Sequence, residues 1–309
     1  MSFLNPVNEP VLRFKSTDAG APQINYSARV AGDVKAIIKA CLVTGYGTTA
    51  SAGWSVVNEV DHVAEFVSPS AAMSDYRLGI DDTSTSNTTW YYQYQDARVN
   101  PASNTLTKNF SNINKTSVRN GWQLLATDQG FIFIEVLDDN IALGLVTRVT
   151  YWGRVKSALK NDSGKNIAWW SVGHNAFDPT AFFNPDIFRD GSLYISGNRH
   201  HVFNGSYGAQ VYIIATNAVR SGAYVSNDPL SAVEIVSAWY FYSQAFVVGV
   251  QPGVLLADCN DDSERFKVSD TMFNGRPVLS VPISYATGDL ERYNKYTRTL
   301  LLALDNWEY

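Results

Sequence analysis

The stretch from Val30 to Leu42 constrains the fold of this chain more than any other. Val30, Val34, Ile37, Ile38, Cys41 and Leu42 recur at i, i+4, i+7, i+8, i+11 and i+12, which traces one face of a 3.6-residue period. The spacing predicts an amphipathic helix over about residues 30–43. Asp33 falls in its first turn, where a carboxylate suits the positive end of the helix dipole. Lys35 and Lys39 fall off the apolar stripe, and Gly45 offers positive φ just past the end. Val11–Lys15 alternates like a strand before the helix, and Gly53–Val57 opens another after it. A helix with one apolar face must cover something, and the partner of matching size nearby is a small sheet.

Beyond the helix the chain reads as strands. Val60–Val67 and Tyr76–Ile80 extend the first unit, and the polar run from Asp81 to Thr89 closes it. Residues 1–10, with Asn5, Pro6, Asn8 and Pro10, read as an irregular N-terminal arm. The expected division is therefore an arm at 1–10, a small α+β unit at 11–89 and a β-rich body at 90–309, with one continuous domain as the alternative. Within the body, residues 96–121 are rich in Asn, Ser and Thr and read as a long polar loop. Residues 122–126, 131–137 and 141–151 read as a meander, with turns at Asp128-Gln129-Gly130 and Asp138-Asp139-Asn140. Strands follow at Ile167–Val172, Ser192–Ser196, Ala209–Thr216, Ala232–Tyr242 and Ala245–Val250. A turn is expected at Pro252-Gly253, then strands at Met272–Val281 and Arg298–Leu304. No repeat at a fixed period is present, which argues against a solenoid or propeller. One convincing helix among many short strands gives a predominantly β, α+β fold of antiparallel sheets, with the helix packed on a small N-terminal sheet.

Composition narrows the function classes. Charged residues are 17% and the net charge is −5, too few and too acidic for an unspecific grip on nucleic acid. Residues 233–250 form the longest apolar run, but Glu234, Ser237, Ser243 and Gln244 break it short of a bilayer span. The first residues lack the basic start and apolar stretch of a signal peptide, so synthesis in the cytoplasm is expected. Cys41 and Cys259 are the two cysteines, a spacing unlike a disulfide framework, and Cys41 reads as a buried thiol on the helix stripe.

Residues suited to chemistry are scattered. The histidines are His62, His174, His200 and His201. On a strand the adjacent pair would point to opposite faces, which suits joint chelation badly. The acidic pairs Asp81-Asp82, Asp138-Asp139 and Asp261-Asp262 invite comparison with glycosidase carboxylates or a calcium loop. Adjacent aspartates in turns more commonly bond their own backbone. No metalloprotease, P-loop, nucleophile-elbow or paired-cysteine pattern occurs. The expectation is a chain without catalytic residues, cofactor or metal. Aromatics are the remaining signal, with 8 Trp and 17 Tyr. Trp90, Tyr91, Tyr92, Trp169, Trp170, Trp239, Tyr240, Tyr242 and Trp307 are the candidate interface residues, since a strand offers only half of each cluster to one core.

Several strings, in order along the chain, carry a resemblance. Asp18-Ala19-Gly20-Ala21-Pro22, the helix ending Cys41-Leu42-Val43-Thr44-Gly45-Tyr46-Gly47, and Ala52-Gly53-Trp54 are its most specific part. Tyr76–Asp82, Gly121–Asp128 with Phe131-Ile132-Phe133, Tyr151-Trp152-Gly153-Arg154, Pro252–Leu255 and Leu304–Glu308 continue it. Together they resemble a family of virion structural proteins of tailed bacteriophages. The likeness departs at Trp152 and Arg154, where the family pattern has Phe and Asp, and fades over residues 180–250. The resemblance implies a place in the virion and partners that are copies of the chain and other virion proteins. It carries over no catalytic motif. The expected role is a structural component of the tail, neck or baseplate working through subunit contacts, without nucleic acid or membrane insertion. The alternatives are a tail-tip protein that binds or depolymerises host glycan, and a head decoration protein.

Overall fold

The computed structural model describes residues 7–24, 30–74, 76–83, 89–96, 106–111, 121–136, 148–154, 156–157, 167–172, 193–196, 212–214, 233–243, 246–259, 269–273, 275–282 and 297–309. The strands in chain order begin β1 (Asn8–Pro10), β2 (Leu12–Lys15), β3 (Ser55–Val60), β4 (Val63–Val67), β5 (Tyr76–Asp81), β6 (Thr89–Asp96) and β7 (Leu106–Ser111). They continue with β8 (Gly121–Ala126), β9 (Gly130–Val136), β10 (Arg148–Arg154), β11 (Lys156–Ser157), β12 (Ile167–Val172), β13 (Leu193–Ser196) and β14 (Tyr212–Ile214). The last are β15 (Val233–Ser243), β16 (Phe246–Cys259), β17 (Ser269–Phe273), β18 (Arg276–Pro282), β19 (Thr297–Ala303) and β20 (Asn306–Glu308). One α-helix, α1 (Asp33–Lys39), runs into a π-turn at Ala40–Thr44. Among the described residues the fold is mostly antiparallel β with one α-helix, as the sequence pattern predicts.

The chain forms two units. One comprises Leu12–Asp138 and Thr150–Gly153; the other comprises Met1–Val11, Asp139–Val149 and Arg154–Tyr309. The expected boundary at residue 89 does not match this division, because β5 and β6 pair from Tyr76↔Asp96 to Asp81↔Tyr91. The expected loop at 96–121 contains β7, which pairs β6 from Thr89↔Ser111 to Tyr94↔Leu106. A strand paired to a neighbour needs few apolar anchors of its own, so its polar text hid it. Residues 97–105 and 112–120 lie outside the described residues.

In the first unit β3 to β7 form a five-stranded sheet in sequence order. Ala64, Phe66, Leu78 and Ile80 are buried, as are Val34, Ile37, Ile38, Cys41 and Leu42 of the helical segment. Burying such side chains is the main favourable term in folding, about 1.5–3 kcal/mol each when complete. The helix is shorter than its period suggests. Gly32, at φ +93, starts it, and Val30 stays outside and exposed. Lys35 departs from expectation too: it is buried, and its Nζ donates to Glu59 Oε1 at 2.9 Å and to the Asp61 carbonyl. At the far end Gly45 N donates to Ala40 O at 2.8 Å, the wider i→i+5 spacing that keeps Cys41 and Leu42 inward. Gly45 has positive φ, as its position predicts. In the same unit β2, β8, β9 and β10 lie side by side in the order β10-β9-β8-β2.

In the second unit β14, β15, β16, β19, β18 and β17 are neighbours in that order, and β11 pairs β16. The expected turn at Pro252-Gly253 is instead part of β16. The strand runs on through it, but its register against β15 jumps from Ala238↔Leu255 to Tyr240↔Val250. That bulge carries Gly253 at φ +67. The expected single strand at 272–281 is the β17–β18 hairpin, reversed near Gly275 at φ +78. The N-terminal stretch is not wholly an irregular arm: residues 8–10 are β1, antiparallel to β20.

Candidate functional site

Of the strings that drew attention in the sequence, those from Asp18 to Gly153 lie in the first unit, and Arg154, Pro252–Leu255 and Leu304–Glu308 lie in the second. Asp18 closes a tight turn: Asp18 N donates to Lys15 O at 3.0 Å and Ala21 N to Asp18 O at 3.0 Å. Its Oδ2 accepts from Lys15 N at 2.9 Å and from the Tyr46 hydroxyl at 2.9 Å. Gly20, at φ +79, faces Gly47, at φ +54; a Cβ on Gly20 would stand 3.0 Å from Gly47 N. One on Gly47 would overlap the Ala19 carbonyl, so both positions demand glycine. The Tyr46 ring meets Trp122 edge-on at 6.3 Å and Phe14 at 6.1 Å, both favourable aromatic geometries.

The tryptophans finish the junction. Trp122 Nε1 donates to Pro22 O at 2.9 Å, tying β8 to the first turn. Trp54 Nε1 donates to Thr127 O at 3.0 Å, and its ring packs edge-on against Trp152 at 5.4 Å and Phe131 at 6.0 Å. Trp152 is thus core, and Arg154 is buried as well. Gly130 and Gly153 back onto each other, and a Cβ on Gly130 would lie 2.9 Å from Gly153 Cα. Thr127 to Gly130 form the expected turn between β8 and β9, closed by Thr127 N to Gly130 O at 2.9 Å.

The two aspartates of the Tyr76–Asp82 string have separate structural work. Asp81 Oδ1 accepts from Thr83 N at 3.0 Å, a local turn of the expected kind. Asp82 is fully buried, and its Oδ2 accepts from Val34 N at 2.8 Å and Lys35 N at 3.1 Å, capping α1 from 48 residues away. Its backbone extends the clasp, with Gly32 N donating to Asp82 O at 2.9 Å and Asp82 N to His62 O at 3.1 Å. Sequence reasoning missed this cap, because capping rules look three residues ahead and this carboxylate arrives from another strand.

Electrostatics follow from the burial. Cys41 is a free, buried thiol, and burial, then the nearby Asp18 carboxylate, push its pKa well up. The Tyr46 hydroxyl is raised too, by burial first and then by the hydrogen bond it gives Asp18. Neither group ionises near neutral pH, so both act as neutral packing and hydrogen-bonding groups. Among the described residues no group of three or more His, Cys, Asp and Glu is placed to hold a metal. His174, His200, His201, Asp138-Asp139 and Asp261-Asp262 lie outside the described residues.

The candidate interface residues separate into two sets. Trp307 is fully buried in the second unit; its Nε1 donates to Ala303 O at 3.1 Å and its indole lies against Gly253. It belongs to the core rather than to a contact surface, because the bulge in β16 leaves a glycine-floored slot for it. Trp90, Tyr91 and Tyr92 lie on β6, Trp169 and Trp170 on β12, and Trp239, Tyr240 and Tyr242 on β15. Their side chains fall outside the described set. Trp54, Trp122 and Trp152 are buried, whereas Leu12, Val30, Val57, Val60 and Val63 are the exposed large apolar residues among those described. No protein-family model matches the chain, and no curated protein or solved structure is significantly similar to it.

Proposed function

We propose that this chain is a non-catalytic structural component of a tailed-phage virion, in the tail, neck or baseplate, working through contacts with copies of itself and other virion proteins. The observation that carries the reading is how the resemblance strings are used. Asp18, Tyr46, Trp54, Asp82 and Trp122 each direct a polar side-chain group into a bond that holds strand, turn and helix together. A family signature made of such residues specifies a shape, and a shape is what a repeated subunit contributes. Subunit contact draws its energy from apolar burial, about 25 cal/mol per Å² before association costs are subtracted.

The test is the particle itself. Antibody labelling and electron microscopy of assembled phage should place the chain at a regular, repeated position, and light scattering of the purified protein should show mass rising with concentration. A protein that stays monomeric at every concentration and is missing from mature particles overturns the reading. Binding to host polysaccharide, or release of reducing ends from it, would favour the glycan-directed alternative.

A further inference from the structure

We draw no further inference here: the strongest candidate, the surface patch of the β3–β4 hairpin where Val57, Val60 and Val63 are exposed, carries nothing because nothing in the structure shows what covers it.

Discussion

Asp82 and Cys41 show how single residues are committed to the fold. Asp82→Ala strands the Val34 and Lys35 N–H groups in a buried site, and each stranded donor costs about 1–3 kcal/mol. Chemical denaturation should therefore show a loss of about 2–6 kcal/mol. Asp81→Asn, next door and with only a turn to hold, should stay within about 0.5 kcal/mol of the parent. Equal effects would remove the special role given to Asp82. Cys41 makes a different prediction. Its raised pKa and complete burial leave almost no accessible thiolate. In a Cys259→Ser background, a thiol reagent at pH 8 should modify the native protein far more slowly than the urea-unfolded chain. The buried state of Cys41 was legible in the sequence, since it falls on the helix stripe. The partner of Asp82 was not, since nothing local in Ile80-Asp81-Asp82 points to a helix nearly fifty residues earlier.

Among the elements, α1 is tied to β3 by charge as well as by packing. Glu59 Oε1 accepts from Lys35 Nζ at 2.9 Å and Oε2 from Lys39 Nζ at 2.6 Å. The hydrogen bonds from Lys39 and Lys35 hold the Glu59 carboxyl below its ordinary value. A carboxyl with a depressed folded pKa stabilises the protein above the unfolded value, about pH 4.3, and that contribution fades as pH falls through the lower folded value. The parent should therefore lose more stability on acidification than Glu59→Gln, and the two melting-temperature curves should converge at low pH. Parallel curves would mean that the pair contributes nothing to the acid response. This link also explains the misreading of Lys35. Periodicity places it off the apolar face, but a lysine stem packs against apolar surface while its head finds a carboxylate. The sequence pattern located the helix and most strands because period 3.6 and period 2 are local properties. The pairing of β6 with β7 and the bulge at Gly253 depend on strands distant in sequence, and local text did not reveal them.

For the whole molecule, the β1–β20 ribbon makes a prediction about stability. Removing residues 1–10 takes away no buried side chain among residues 7–10 and only part of one ladder. Chemical denaturation of the truncated chain should show a loss of about 4 kcal/mol, since two doubly bonded pairs go and each hydrogen bond contributes about 1 kcal/mol net. Loss of cooperative unfolding on truncation would instead make β1 part of the body. One last consequence follows from Val7 and Tyr309 bonding each other directly. Residues 7 and 309 therefore lie side by side, and labels carried on them would sense each other. Fluorophores carried at the two positions would report a short distance while the ribbon is closed and a longer one once β1 leaves β20, giving an optical readout of that pairing.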